Sequence, residues 1–414
     1  MESPPSALME QYRDPRKLHA RLDLHRRFST HPRGWQPFLL DALELAPAIR
    51  VLEVGCGSGQ LWIDGRDRVP EGCQIVLSDR SPGMVAAARR ALGDDPRFAF
   101  EVMDARPLAH PSGRFHRVLA SHMLYHVPDV DAALAELRGV LHPEGSLLAA
   151  TNGVGHLREL HTLARAHGLL QAAAPLTSPF ELENGAGALL RHFAWVDRED
   201  HADSLAVTDP EALLAYVRSL PHAAPPDAAG YTEMRREIAE RIRREGAFTI
   251  SKASGVFLAR ARPPAAGGPS AAACSKACPV VTRQVGSRRE ILCFRHPEAG
   301  LQLVKGGVEP GESVRVAAVR ELFEESGVEG CRIGRSLGTW ESGSDGQVWG
   351  FVELLPRMSL PDRWSHFAND DGGHLFELFW HPLDQPPGPD WHPVFQRALA
   401  YVRDRLETDA RERE

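Results

Sequence analysis

The chain has 414 residues, of which 43% are hydrophobic and 25% charged, and its formal net charge is −7. This length favours two domains, and the apolar content excludes a largely disordered chain. The negative charge disfavours nucleic acid or an anionic membrane as the main partner, and we expect a cytoplasmic protein because no apolar run approaches the roughly 20 residues that span a bilayer.

Strand and helix patterns alternate over the first part of the chain. Apolar runs predict strands at 50–55, 74–79, 98–104, 115–124 and 146–151, with helices between them at 82–92 and 130–141. Later strand-like runs at 191–199 and 247–261 flank helical segments at 210–220 and 230–244. This alternation predicts an α/β domain whose sheet is mostly parallel and has an antiparallel edge strand.

A segment of small and turn-forming residues interrupts this pattern. Residues 263–275 read PPAAGGPSAAACS, without charge or apolar periodicity, which predicts a flexible linker. Beyond it, strands are expected at 280–284, 291–295, 331–340, 347–354 and 374–381, and helices at 313–326 and 393–406. The predicted organisation is a first domain at 1–262, the linker, a smaller mixed domain at 276–408 and a charged tail at 409–414.

Six cysteines are spread over the chain. A chain of this length needs no disulfide framework, and the cysteine spacing repeats no zinc-ribbon pattern, so we expect free thiols. A pair or a metal site at Cys274 and Cys278 is the alternative.

A glycine-rich turn follows the first predicted strand. The run VLEVGCGSGQLW places Gly55, Gly57 and Gly59 where the chain must turn tightly and let a ligand approach its backbone. A dinucleotide fingerprint would need a further glycine at the position of Gln60. Asp79, 20 residues beyond Gly59, ends the next strand, where a carboxylate can accept hydrogen bonds from both hydroxyls of a ribose.

The third predicted strand brings a further acidic residue to the same edge of the sheet. Asp104 can reach an adenine amino group, while Ala105 offers a backbone amide. Open parallel sheets bind ligands beyond the carboxyl ends of their strands, so three strand ends should converge on one crevice.

This ordered set resembles class I S-adenosylmethionine-dependent methyltransferases, whose glycine loop has an acidic residue two places earlier, here Glu53. The tract HMLYHVPD and the following proline-glycine turn are also similar, and the likeness covers residues 10–262. It is strongest to bacterial enzymes that act on small molecules. The resemblance implies a Rossmann-like fold and S-adenosyl-L-methionine bound by Glu53, Gly55, Cys56, Gly57, Gly59, Asp79, Arg80, Asp104, Ala105 and Ser121.

Catalysis in such a domain is mainly positioning of a nucleophile in line with the methyl group, and a base is needed only for a protonated acceptor. The candidate bases are His122, Tyr125 and His126 after the fourth strand, together with His19 in an N-terminal lid. The acceptor is expected to be a small molecule.

A longer motif, GGVEPGESVRVAAVRELFEESGV, begins at Gly306. On a helix, Glu321, Glu324 and Glu325 stand at i, i+3 and i+4, so their carboxylates share one face and repel each other unless a cation lies between them. Oxygen ligands favour magnesium or manganese, and Gly306 can bring a carbonyl toward the same ion. The opposite, buried side of the helix is expected to consist of Val316, Val319, Leu322 and Phe323.

This motif matches the Nudix box at every defined position, and the second domain is identified as a Nudix hydrolase. The resemblance implies an α+β fold with a mixed sheet between helices, and attack of water on a phosphorus of a diphosphate linkage with metal assistance. Glu324 and Glu325 are the expected ligands, Glu321 is a ligand or the base, and Glu312 supports the loop. Asp370 and Asp371 are candidates for a further acidic group.

Two alternative interpretations remain open. Either domain could be a non-catalytic nucleotide-binding sensor, or the first domain could be another nucleotide-binding α/β enzyme such as a dehydrogenase. Tight binding of NAD without binding of S-adenosylmethionine would decide for the dehydrogenase.

A further hypothesis rests on the fusion alone: the hydrolase cleaves a nucleotide-linked or diphosphate metabolite whose product or precursor the first domain methylates. It fails if the two domains act on unrelated compounds.

Overall fold

The computed structural model describes residues 15–171, 178–221, 223–262, 274–343, 346–369 and 373–411. The chain divides into two units, one comprising Met1–His192 with His201–Ala261 and the other Phe193–Asp200 with Arg262–Glu414. Most of the predicted linker, both Asp370 and Asp371, and the last three residues of the predicted tail lie outside the described residues.

Helices and strands alternate along most of the chain up to residue 261. The helices are α1 (Arg16–Phe28), α2 (Trp35–Ala42), α3 (Gln60–Asp64), α4 (Pro82–Leu92), α5 (Val130–Val140), α6 (Arg158–Ala166), α7 (Gly185–Leu190), α8 (Pro210–Ser219) and α9 (Ala229–Glu245). The strands are β1 (Arg50–Val54), β2 (Gln74–Asp79), β3 (Phe98–Val102), β4 (Phe115–Ser121), β5 (Leu141–Asn152), β6 (Trp195–His201), β7 (Ser204–Val207), β8 (Phe248–Ser251) and β9 (Ser254–Arg260).

The main sheet of the first unit is mostly parallel. Six of its strands follow the order β3-β2-β1-β4-β5-β9, in which β1 to β5 pair in parallel and β9 pairs antiparallel with β5. The carboxyl ends of β1, β2, β3 and β4 therefore meet at one edge of the sheet. The predicted Rossmann-like fold is confirmed.

Helix α4 illustrates how local sequence defines an element of this unit. Ser81 caps the helix by accepting a hydrogen bond from the Met84 amide, and Pro82 occupies the first turn, where it needs no backbone donor. Gly93 ends the helix with a φ of 67°. The buried face of α4 includes Met84, Val85, Ala88 and Leu92, so the helix lies at the predicted bounds.

A second layer of the first unit combines helices predicted at 210–220 and 230–244 with elements that were not predicted. Helices α1, α8 and α9 share a hydrophobic core with the antiparallel pair β7 and β8. The buried members of this core include Leu24, Phe28, Leu205, Leu213, Val217, Ile238 and Ile250. This layer holds α1 against the rest of the unit and fixes the side chains that α1 carries.

The second unit contains the remaining elements. They are β10 (Lys276–Val280), β11 (Thr282–Val285), β12 (Arg288–His296), β13 (Gly300–Leu303), β14 (Gly306–Gly307), α10 (Val314–Ser326), β15 (Arg332–Glu341), β16 (Val348–Leu355), β17 (Arg363–Ala368), β18 (His374–Pro382) and α11 (Pro393–Arg411). One sheet has the order β14-β10-β16-β15, and the other has β11-β12-β18-β17 with β13 paired to β12. Helix α10 contacts β10, β16 and β17, and so packs against both sheets. The predicted α+β fold is confirmed.

The buried face of α10 differs from the predicted one. Phe323 was expected to be buried, but this was wrong, because 46% of its surface is exposed. Glu321, in contrast, is only 3% exposed. The small residues Ala317 and Ala318 are fully buried and, with Val316 and Leu322, set the core-facing side, which leaves Phe323 on the outer side.

Helix α11 is longer than predicted, since it continues to Arg411, beyond the expected end at residue 406. All six cysteines are free, as expected. In the part of the chain that the structure describes, no helix combines the length and the apolar character needed to cross a bilayer.

A short segment from the middle of the sequence belongs to the second unit. The Val196 amide donates to the Gly311 carbonyl over 2.8 Å, and the Ser313 amide donates to the Val196 carbonyl over 3.0 Å. Arg198 forms a two-pronged ion pair with Asp200 over 2.7 and 2.8 Å, and both side chains are buried. The segment therefore supports the start of α10.

Arg198→Met should destabilise the second unit by about 3–5 kcal/mol, because it leaves the Asp200 carboxylate buried without its counter-ion. We expect the corresponding calorimetric melting transition to fall by at least about 6 °C. The control is Arg288→Met, which removes an exposed ion pair with Asp384 and should shift the transition by no more than about 3 °C. Equal shifts for both variants would contradict this assignment.

Candidate functional site

The glycine loop after β1 is closely surrounded by neighbouring side chains. Gly55, Gly57 and Gly59 have φ values of 75°, 55° and 76°, which favour glycine. A Cβ atom at Gly55 would lie 2.8 Å from the Met123 Cβ atom, and one at Gly57 would lie 2.9 Å from the Leu18 Cδ2 atom. The Met123 and Leu18 side chains can therefore lie this close to the loop backbone only because Gly55 and Gly57 lack side chains.

Asp79, at the end of β2, anchors this loop. One carboxylate oxygen accepts a hydrogen bond from the Gly57 amide over 3.0 Å, and the other accepts one from the Ser81 amide over 2.8 Å. Burial raises the pKa of Asp79, although these two hydrogen bonds oppose the effect. The structure thus brings the predicted aspartate directly to the predicted glycine loop.

The residues after β3 and β4 are placed less tightly. The Asp104 side chain is about half exposed, and its Oδ2 atom lies 4.0 Å from Arg80 Nε. The Ala105 amide donates to the Asp104 carboxylate over 2.7 Å. Ser121 is the last residue of β4. Asp104 and Arg80 therefore form a polar rim near the ends of β2 and β3.

Glu53 lies beneath the loop. It is only 3% exposed, and its carboxylate accepts a hydrogen bond from Trp62 Nε1 over 2.5 Å. Burial raises the pKa of Glu53 to about 7, against the effect of the Trp62 hydrogen bond. The adjacent Cys56 is also buried, and burial raises the pKa of its thiol. These two residues support the loop from the interior of the unit.

Helix α1 lies across the outer side of the loop. His19 Nε2 and Ser58 Oγ are 3.1 Å apart in a hydrogen bond, and the Leu18 side chain lies against Gly57. The sequence predicts His19 in an N-terminal lid, and the structure puts it at the glycine loop.

The three candidate bases follow β4. His122 has a φ of 53°, unusual for a residue with a side chain, and its amide donates to the Ala150 carbonyl over 2.9 Å. Its ring centroid lies 5.1 Å from that of Trp35 and 6.5 Å from that of Tyr125. Burial lowers the pKa of both His122 and His126 to about 4. Both imidazoles are therefore neutral near pH 7.

Several polar side chains near His122 were not predicted from the sequence. His25, His156 and His201 lie in the same region, and the Lys252 ammonium forms a buried ion pair with Asp203. His25 lies in α1, His156 follows β5, and His201 ends β6. Asp203 directly precedes β7, and Lys252 directly follows β8. Lys252 was a signal available in the sequence, since it places a charged residue inside the strand-like run at 247–261.

In the second unit, Gly306 lies against the Glu321 carboxylate. A Cβ atom added at Gly306 would overlap both carboxylate oxygens of Glu321. Gly307, by contrast, has open space at its own Cβ position. The glycine at position 306 is therefore required by the close approach of a helix side chain to the loop backbone.

Arg320 links the acidic residues of the motif. Its Nη1 atom donates to Glu321 over 2.8 Å and to Glu324 over 2.7 Å, and its Nη2 atom donates to Glu312 over 2.6 Å and to the Gly307 carbonyl over 2.7 Å. Burial works against the charge on Arg320, but the hydrogen bonds and ion pairs to Glu312 and Glu321 outweigh it and raise its pKa. Its guanidinium is thus permanently charged.

The predicted carboxylate cluster is therefore already partly neutralised. The cation between Glu321 and Glu324 is the Arg320 guanidinium, while Glu325 accepts a hydrogen bond from the Lys305 amide over 3.0 Å. Across the described ranges, no group of three or more His, Cys, Asp or Glu side chains is arranged to hold a metal ion. The donor chemistry still suits a hard cation, because all three side chains offer carboxylate oxygens on one helical turn.

Both regions are similar to known protein families. Residues 51–145 match the family described as "Methyltransferase domain", and residues 278–400 match the family described as "NUDIX domain". A demethylmenaquinone methyltransferase from Beutenbergia cavernae is 36% identical over 118 residues, which cover 28% of this chain and 47% of that protein. A malonyl-[acyl-carrier protein] O-methyltransferase from Geobacter sulfurreducens is 29% identical over 222 residues, which cover 53% of this chain and 82% of that protein.

Solved structures of methyltransferases match as well. The phosphoethanolamine N-methyltransferase 2 of Haemonchus contortus, in complex with S-adenosyl-L-methionine, is 17% identical, with a TM-score of 0.37 and coverage of 56% of this chain and 54% of that one. The chain spans about half the length of the demethylmenaquinone methyltransferases it matches.

Glu53→Gln should stabilise the first unit at high pH. Because the pKa of Glu53 is higher in the folded state than its usual 4.5, its contribution is fully favourable below about pH 4.5 and is lost as pH rises through about 7. The variant should therefore exceed the parent in unfolding free energy by up to about 3 kcal/mol at pH 8, but by less than about 1 kcal/mol at pH 5.

Urea unfolding at the two pH values measures this difference. Glutamine can still accept the Trp62 hydrogen bond, so the comparison isolates the buried charge. Glu71→Gln, at an exposed position, is the control and should show no pH-dependent difference. A constant gap between Glu53→Gln and the parent at both pH values would refute the raised pKa.

Proposed function

The chain joins a methyltransferase domain to a NUDIX domain, and we propose that it is a bifunctional enzyme. The first activity transfers a methyl group from S-adenosyl-L-methionine to a small-molecule acceptor. The second hydrolyses a diphosphate linkage, such as that of a nucleoside diphosphate joined to another group, with Mg²⁺ or Mn²⁺. The observation that carries the proposal is that in each matched region a carboxylate lies directly against a glycine backbone, Asp79 at Gly57 and Glu321 at Gly306.

The residues at the strand ends of the first unit fit S-adenosylmethionine. Asp79 would accept hydrogen bonds from the ribose hydroxyls, Asp104 would hold the adenine amino group, and the glycine loop would lie against the methionyl part. The bound cofactor supplies a methyl group activated by a sulfonium. The protein's own contribution is to exclude water through α1 and to hold the acceptor in line, with neutral His122 able to take a proton from it.

The names of the relatives do not specify the acceptor. One contains demethylmenaquinone and another contains malonyl-[acyl-carrier protein], which are chemically unrelated. The acceptor of this chain must therefore be inferred from its own residues.

Asp79→Ala should weaken binding of S-adenosylhomocysteine, the demethylated product, at least about 100-fold. The variant loses two carboxylate acceptors for the ribose and also the anchor of the Gly57 amide, and hydrogen bonds to a charged group contribute about 1.5–3 kcal/mol each. Isothermal titration calorimetry with the full chain measures the dissociation constant.

The matched control for this measurement is Asp67→Ala, which removes an exposed aspartate of the same unit and should leave binding unchanged. Parent-like affinity in Asp79→Ala would sink the proposed cofactor site. Tight binding of NAD to the parent, with no binding of S-adenosylhomocysteine, would instead assign the first unit to a dehydrogenase.

In the second unit, a divalent ion would be held by the carboxylates of Glu321, Glu324 and Glu325 with the Gly306 carbonyl. Such an ion neutralises charge on the diphosphate oxygens and activates the attacking water. Glu321 is the candidate base among the three because it is the most buried. Arg320 positions the carboxylates of Glu321 and Glu324 by direct hydrogen bonds.

Gly306→Ala should reduce Mg²⁺-dependent hydrolysis at least about 100-fold, because the new methyl group would displace the Glu321 carboxylate, and small misplacements at a reacting centre have effects of this size. Phosphate release from a panel of nucleoside diphosphate compounds measures the rate. Gly307→Ala is the matched control, since its Cβ position is open, and it should retain nearly the parent rate.

Thermal melting of both glycine variants establishes that the second unit stays folded. A Gly306→Ala variant that is folded and as active as Gly307→Ala would overturn the site. If the parent binds Mg²⁺ but turns over no diphosphate in a broad panel, the second unit is a sensor and not a hydrolase.

A further inference from the structure

A group of histidines lies beside the proposed methyl-transfer site in the first unit. We call His31, His122 and His201, together with Trp35 and Phe38, the ring cluster. His201 is its hub: its ring centroid lies 4.3 Å from that of His31, 4.9 Å from Phe38 and 5.3 Å from Trp35. Trp35 in turn connects His201 to His122.

The ring cluster is connected to the glycine loop by the residue that follows His122 in the chain. His122 directly precedes Met123, whose side chain lies against Gly55. The left-handed backbone of His122 and its hydrogen bond to the Ala150 carbonyl fix the direction of this turn. The cluster thus lies beside the glycine loop of the proposed cofactor site.

The hydrogen bonding of His201 leaves one ring nitrogen as an acceptor. The side chain is 2% exposed, and Nε2 lies 3.2 Å from the Gly34 carbonyl oxygen. A carbonyl can only accept, so Nε2 carries the proton and Nδ1 of the neutral ring has a lone pair. Nδ1 is buried, and no donor among the described residues reaches it. Buried polar atoms normally have a partner, so Nδ1 is a candidate acceptor for a hydrogen bond from a ligand.

The neighbouring charges are already satisfied. Asp203 accepts hydrogen bonds from the Lys252 ammonium, the Ser29 hydroxyl and the amides of Thr30 and His31. Burial is the largest cause that lowers the pKa of His201 to about 4, and His31 and Lys252 add to it against the opposing effects of Asp203 and the Gly34 carbonyl. The His201 imidazole is consequently neutral near pH 7 and available as a hydrogen-bond acceptor.

The aromatic rings around His201 restrict the ligand further. Trp35 and Phe38 provide aromatic surface next to His201, and such surfaces favour planar rings in stacked or edge-on arrangements. A ligand that meets both conditions is a planar aromatic compound with a hydroxyl donor.

The geometry points to the ring cluster as the methyl-acceptor site, with His201 Nδ1 accepting a hydrogen bond from the hydroxyl of a phenolic acceptor. This inference rests on the proposed methyl transfer and adds the substrate class and a specificity-determining residue to it. His201 selects a hydroxyl because an ether or a hydrocarbon of the same shape would leave Nδ1 buried without a donor.

The test compares two probes that differ only in the donor, 4-ethylphenol and 4-ethylanisole. Binding to the full chain, with S-adenosylhomocysteine present, is measured by ligand-observed nuclear magnetic resonance titration. The parent should bind 4-ethylphenol at least about five-fold more tightly than 4-ethylanisole. This ratio corresponds to one neutral hydrogen bond of about 1 kcal/mol. His201→Phe should abolish this preference. His201→Gln should restore part of it, because a glutamine amide can donate to Gly34 and still offer an oxygen acceptor.

His142→Phe is the control, since His142 lies at the start of β5, at the opposite end of the strand from the candidate site, and its ring pairs with that of His116. It should keep the parent's preference. The inference is overturned if the parent does not distinguish the probes or binds neither, or if His201→Phe keeps the five-fold preference.

A direct readout does not depend on the variants folding. In the parent labelled with ¹⁵N-histidine, the His201 Nδ1 signal should shift on addition of 4-ethylphenol and not of 4-ethylanisole. The absence of such a difference counts against the inference. Binding of S-adenosylhomocysteine in the same samples distinguishes failure of this inference from failure of the proposed methyl transfer. If S-adenosylhomocysteine binds but the probes do not, only the phenolic acceptor site is refuted. If S-adenosylhomocysteine does not bind, the proposed methyl transfer is refuted.

Discussion

Both candidate sites depend on a carboxylate that meets a glycine backbone. In the first unit, Asp79 accepts a hydrogen bond from the Gly57 amide, and in the second unit Glu321 occupies the space that a Cβ atom of Gly306 would fill. Neither contact survives a larger residue, since the first needs a positive φ and the second needs the volume. The backbone and the acidic group are therefore fixed together before a ligand arrives, which lowers the cost of ordering them on binding.

The charges of the two units are also balanced internally. Arg320 neutralises part of the charge of Glu312, Glu321 and Glu324, and the Lys252 ammonium is buried against Asp203. Unpaired ions would be too costly to bury, so each unit supplies its own counter-ion. In the second unit, the Arg320 guanidinium explains why the carboxylates can lie so close together, and a divalent ion would share the glutamates with it.

The sequence predicts the parts of the fold and the sites that depend on neighbours in the chain. Strand 74–79 and helix 82–92 have the predicted bounds, and the glycine loop with Asp79 follows from turn geometry and strand order. Contacts between distant residues were not predictable. His201 contacts Trp35 and Phe38 of α2, a helix that the apolar pattern did not indicate. The burial of Phe323 was wrongly predicted. Periodicity shows which residues share a helix face, but not how the helix is rotated about its axis relative to the sheets.

The second unit also contains a segment from much earlier in the chain, Phe193–Asp200, which sequence patterns could not assign to it. The Val196 backbone bonds to both Gly311 and Ser313, and the Ser313 hydroxyl donates to Asp197, so the start of the helix that carries the glutamates is held by residues more than a hundred positions earlier. Ordering such a distant segment carries a loop-closure cost that grows only slowly with chain length. The buried pair Arg198 and Asp200 fixes the same segment, so the support of this helix is built into the core of the unit. A domain boundary drawn at the linker alone would remove that support.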